Sequence, residues 1–102
     1  MTHPTVIKLH DGNLMPQLGL GVWKADNEEV ISAIHKALEV GYRSFDTAAA
    51  YQNETGVGNA LNSAGVARDE LFVTTKLWND DQKHPQEALQ ESLNKLKLDY
   101  VD

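Results

Sequence analysis

The chain has 102 residues, 41% of them apolar, and fifteen Asp and Glu against nine Lys and Arg give a net charge of -6. A chain of this length supports one hydrophobic core, and without clustered positive charge no nucleic-acid partner is expected. There is no cysteine, which removes disulfides, thiolate metal ligands and a cysteine nucleophile.

The first twenty residues contain no apolar stretch of signal-peptide length. No run approaches the roughly 18 apolar residues of a membrane-spanning helix. A cytoplasmic protein that does not engage membranes is therefore expected.

In chain order, residues 5–8 and 14–17 flank Asp11-Gly12-Asn13, whose residue types suit a tight reversal, so an N-terminal β-hairpin is predicted over 5–17. LGLGVW, Leu18 to Trp23, reads as a buried strand broken by Gly19 and Gly21. Asp26 and Glu29 stand three apart like a capping box. Val30, Ala33, Ile34, Ala37 and Leu38 then share a helical face, and Gly41 supplies the stop. Ser44-Phe45-Asp46 is a brief strand. Val57, Ala60, Leu61 and Ala64 form a second helical stripe ending at Gly65. LFVTTKLW, Leu71 to Trp78, is the best strand candidate. Pro85 suits the first turn of a third helix with Leu89, Leu93 and Leu96 facing inward. Tyr100-Val101 looks like the start of another strand.

Strands alternating with amphipathic helices make βαβ units, whose right-handed crossovers give a parallel sheet. The predicted units span about 18–40, 44–64 and 71–97, with a fourth strand opening at 100–102. A Rossmann-type sheet is the alternative, but Gly19 and Gly21 do not begin a G-x-G-x-x-G turn. The preferred class is α/β, the N-terminal portion of a (βα)₈ TIM barrel, in a single incomplete domain.

Active sites in such barrels lie at the C-terminal ends of the strands. Asp46 ends the second strand of the predicted parallel sheet, Tyr51 follows it, and Lys76 comes near the end of the third. Taken singly, an Asp there reads as a turn or cap residue, a Tyr as packing and a Lys as a snorkelling strand end. Together they suggest a site, because Asp46 supplies the counter-charge that a lysine on an inner strand requires. An ammonium at about 4 Å and an effective dielectric of about 20 favours a phenolate by roughly 4 kcal/mol before desolvation is counted. Such a trio would suit a tyrosine for proton donation.

GYRSFDTAAAYQNETGVGNAL (residues 41–61), TTKLWN (74–79) and MPQLGLGVWKA (15–25) resemble, in the right order, the motifs of the aldo-keto reductases. The resemblance implies reduction of small aldehydes or ketones by NADPH on a (βα)₈ barrel, with 2,5-diketo-D-gluconate, methylglyoxal or β-keto esters as substrate types, and a monomer at full length. It implies Tyr51 as general acid, Lys76 as its partner and Asp46 as the carboxylate pairing with Lys76. It also implies Gly21, Val22, Trp23 and Asp46 near the cofactor, and Trp23, Ala50, Tyr51 and Trp78 around the substrate. At Val22 many members have threonine. A further catalytic histidine is implied after the fourth strand, beyond Asp102. His3, His10, His35 and His84 do not replace it, and no metal site is expected from them.

Two other readings compete. One is a non-catalytic half-barrel lacking that histidine and most of the cofactor site, prone to self-association through open edges. The other, a sugar-binding or isomerase barrel, gives no reason for the trio.

Overall fold

The computed structural model describes residues 5–102. Strands β1 (Val6–Lys8) and β2 (Leu14–Pro16) form the antiparallel hairpin, with Val6 opposite Pro16. The reversal is an Asx turn, in which the Asn13 backbone N–H donates to the Asp11 carboxylate at 3.0 Å.

Three short strands, β3 (Gly19–Gly21), β4 (Ser44–Asp46) and β5 (Phe72–Thr74), then make a parallel sheet with β4 in the centre. Helices α1 (Asn27–Glu39) and α2 (Glu54–Ser63) supply the crossovers, and α3 (Pro85–Leu96) follows β5. The hairpin and three βα units of the expected barrel segment are thus in place.

Local chemistry sets the helix ends. The Glu29 N–H donates to the Asp26 carboxylate at 2.7 Å, closing the N-terminal cap of α1. At its other end Gly41 takes φ +111, a conformation that costs a side-chain-bearing residue dearly, and the chain turns back into β4. Helix α3 stops differently: Lys97 adopts the left-handed conformation and its N–H donates to the Leu93 carbonyl.

Strand alternation divides the sheet's faces. Phe45 and Val73 are fully buried in one cluster with Val30 and Ile34 of α1, Val57 and Leu61 of α2, and Leu96 of α3. Each such side chain contributes about 1.5–3 kcal/mol through burial. Ser44, Asp46 and Thr74 alternate with them and point to the opposite face. The helices pack closely because α2 carries glycine at the contacts: a Cβ at Gly58 would stand 2.5 Å from the Leu96 carbonyl oxygen.

Four details differ from the sequence pattern. The strand expected over residues 71–78 is regular only from Phe72 to Thr74, because beyond Thr74 its backbone and side chains turn to partners in the neighbouring loops. Leu89 is 46% exposed whereas Ser92 is buried in the inward face of α3, since its hydroxyl has a buried acceptor in Glu54. Ala33, expected in the α1 stripe, is exposed. Residues 100–102 contain no regular strand, although the Asp102 N–H donates to the Val73 carbonyl at 2.9 Å and brings the chain beside β5.

Candidate active site

Register places the site. Gly21, Asp46 and Thr74 are partners across the three parallel strands, so they form one row at the C-terminal edge of the sheet. Pairing continues past the strands: the Val22 N–H donates to the Asp46 carbonyl at 3.3 Å and the Thr47 N–H to the Thr74 carbonyl at 2.8 Å. Lys76, two residues beyond Thr74, falls on the same side as Thr74 and Asp46. Tyr51 reaches the row from a 3₁₀ turn, Ala49–Tyr51, two residues beyond the end of β4.

The Lys76 ammonium has three hydrogens and three acceptors around it. It is ion-paired with the Asp46 carboxylate, and it donates to the Thr47 carbonyl at 2.9 Å and to the Tyr51 phenol oxygen at 3.2 Å. Partial burial pulls the lysine pKa down, but the hydrogen bonds it donates to the Asp46 carboxylate and the Tyr51 oxygen outweigh that and leave the pKa raised above the ordinary 10.5. Lys76 is therefore a fixed cation near neutral pH. The Tyr51 oxygen accepts from it, which leaves the phenol hydrogen for another acceptor.

The remaining candidates divide by exposure. Trp23 is 68% exposed and Trp78 45%, so neither ring is core packing. The Lys24 ammonium lies 4.6 Å from the Trp23 ring centroid, and the Trp78 indole N–H donates to Asp80. Ala50 is exposed beside Tyr51, and a Cβ placed on Gly21 would meet nothing within 4 Å. The Val22 side chain, in contrast, belongs to the core. Its carbonyl accepts from Asn53, so neither its side chain nor its backbone oxygen faces the open edge unengaged.

Sequence reasoning passed over a buried polar layer beneath this row. The Asn53 amide donates to the carbonyls of Val22 at 2.8 Å and Ala25 at 2.9 Å and accepts from the Thr47 hydroxyl at 3.1 Å. Glu54 accepts from the Thr75 hydroxyl at 2.7 Å and the Ser92 hydroxyl at 3.1 Å. The start of α2 thereby ties together the loops after β3, β4 and β5. Its one sequence signal was the Asn53-Glu54 pair at the start of a helix.

His3 lies outside the described residues, and among those described no group of three or more His, Cys, Asp or Glu could hold a metal. No helix among them is long and apolar enough to cross a membrane.

Residues 16–102 match the Aldo/keto reductase family. The chain belongs to that family. Over all 102 residues it is 78% identical to the methylglyoxal reductase DkgA of Salmonella typhimurium and 74% identical to that of Escherichia coli K12, covering 37% of each. Among solved structures, an aldo/keto reductase from Brucella melitensis superimposes with a TM-score of 0.92 at 52% identity, over 97% of this chain and 40% of that one. The Bombyx mori aldo-keto reductase, solved in complex with NADP, gives 0.91 at 47% identity, over 100% and 37%. This aldo/keto reductase chain therefore has the fold of the N-terminal part of the family barrel, and it spans about 37% of the curated relatives it matches.

Proposed function

We propose that these residues form part of the active site of an NADPH-dependent reductase that converts small aldehydes and ketones to alcohols. The carrying observation is the Lys76 ammonium shared among Asp46, the Thr47 carbonyl and the Tyr51 oxygen. That arrangement needs a reason. A lysine held by a carboxylate and touching a phenol stabilises negative charge on the phenol oxygen as its proton leaves.

The reaction balances as follows. A hydride adds to the carbonyl carbon, the π pair moves onto oxygen, and Tyr51 gives that oxygen its proton. The nicotinamide cofactor supplies the hydride when bound. Gly21, Val22, Trp23 and Asp46 would hold its flat head, for which the open space over Gly21 and the exposed Trp23 ring leave room. Ala50, Tyr51, Trp23 and Trp78 border the room for substrate. NADP in the Bombyx mori relative supports the cofactor assignment.

Relatives named methylglyoxal reductase and glyoxal reductase point to small dicarbonyls; 2,5-diketo-D-gluconate and β-keto esters are further substrate types in this reading. A monomer acting in the cytoplasm is part of the same reading.

The test is Tyr51→Phe in the complete polypeptide that carries these 102 residues. It is expected to abolish NADPH-dependent reduction of methylglyoxal while cofactor affinity stays within about twofold. Full turnover in that variant rules out Tyr51 as the acid.

A further inference from the structure

Glu54 is 2% exposed, and a carboxylate is costly to bury. Two hydroxyls from different elements donate to its two oxygens: Thr75 after β5 at 2.7 Å and Ser92 of α3 at 3.1 Å. With both oxygens engaged, the carboxylate cannot rotate away from either partner.

Its place in the chain matters. Glu54 lies three residues after Tyr51, and Thr75 immediately precedes Lys76, whose ammonium returns to the Tyr51 oxygen at 3.2 Å. Tyr51 and Lys76 are thus joined twice, once through their own hydrogen bond and once through the Glu54–Thr75 bond below it. Beyond Thr74 the backbone has left the regular sheet, and the hold from the Tyr51 turn is a long 3.3 Å bond from the Ala49 N–H to the Lys76 carbonyl. The Glu54–Thr75 bond is the shorter of the two.

We propose that Glu54 is a positioning residue: its buried carboxylate pins Thr75 to α2 and α3, and so holds the Lys76 ammonium in place against Tyr51 and Asp46. The inference rests on the role given to Lys76 and Tyr51 above. A glutamate that merely braced α2 against α3 would not be linked to the lysine.

The deciding measurement is the titration of the Lys76 side chain, followed by ¹⁵N NMR in the complete polypeptide that carries these residues. Glu54→Ala and Thr75→Val are each expected to move the Lys76 midpoint toward that of an ordinary lysine by about half a unit or more. They are also expected to lower kcat about tenfold with KM for methylglyoxal changed less than about twofold. Glu54→Gln and Thr75→Ser, which keep the bridge, are expected to restore both.

A Lys76 midpoint unmoved in Glu54→Ala overturns the proposal, even where thermal stability falls. Thr75→Val is close to isosteric, so if Glu54→Ala does not fold, the Lys76 midpoint in Thr75→Val and Thr75→Ser decides the same question. Because Lys76 is read directly, the result stands apart from the Tyr51→Phe experiment: loss of the catalytic reading leaves this titration interpretable.

Discussion

The Lys76 ammonium donates to the Tyr51 phenol oxygen at 3.2 Å while its other two hydrogens go to Asp46 and the Thr47 carbonyl. One nitrogen thus organises three acceptors. Lys76→Met removes the charge but keeps most of the side-chain volume. It is expected to lower kcat/KM for methylglyoxal reduction by about a hundredfold or more, measured in steady state. Lys76→Arg is expected not to rescue, because a planar guanidinium spreads its donors over separate nitrogens. Near-normal turnover in Lys76→Met would remove the lysine from the mechanism.

The same ion pair predicts a pH dependence. Burial lowers the Lys76 pKa, the Asp46 and Tyr51 contacts raise it more, and the folded value ends above the ordinary 10.5. A group with a raised folded pKa stabilises the fold fully while pH lies below its unfolded value, and that contribution is lost as pH rises through the folded value. Asp46→Asn removes the counter-charge. Its stability deficit relative to wild type, from urea unfolding, is expected to hold steady from about pH 7 to 10 and to shrink above that window. A deficit that persists undiminished at higher pH contradicts the assignment.

Asn53 is 1% exposed and serves three partners: the Val22 and Ala25 carbonyls and the Thr47 hydroxyl. Asn53→Ala leaves these groups short of a partner in a buried site. Each unsatisfied buried group costs about 1–3 kcal/mol, so a loss at the upper end of that range is expected in urea unfolding, with the slope unchanged. Asn53→Asp keeps the acceptor for Thr47 but presents an acceptor to two carbonyls. It is expected to destabilise at least as much as Asn53→Ala; near-native stability in either variant would show that the loops after β3 and β4 do not depend on this amide.

How far the sequence reached follows from what kind of group each feature uses. The convergence of Asp46, Tyr51 and Lys76 was legible because their side chains carry charged or hydrogen-bonding groups and strand ends give them a place. The caps of α1 were legible because Asp26 and Gly41 act within a few residues of themselves. The third acceptor of Lys76 was not, since a backbone carbonyl at Thr47 has no residue-type signature. Glu54 was missed because its partners lie 21 and 38 residues away, so the pairing exists only once β5 and α3 have packed. Residues 75–78 read as strand because β-branching and apolarity follow a strand's composition, yet the regular sheet ends at Thr74 and Leu77 and Trp78 stand exposed.

The three alanines before Tyr51 differ in what they face. Ala48 is 4% exposed and adjoins the core, Ala49 is half-buried, and Ala50 opens to solvent beside the phenol. Only at Ala50 can bulk be added without displacing packed neighbours. Ala50→Phe is therefore expected to change stability by less than about 0.5 kcal/mol, whereas Ala48→Phe overpacks its surroundings and costs about 1–3 kcal/mol. If the carbonyl substrate approaches Tyr51 from the Ala50 side, the ring stands in its way while the Gly21 end of the row stays clear. The expected signature is a rise of about tenfold or more in KM for methylglyoxal, with NADPH affinity measured by fluorescence titration held within about twofold. A selective loss of NADPH affinity would instead put Ala50 on the cofactor side, and unchanged kinetics would mean that substrate reaches Tyr51 by another approach.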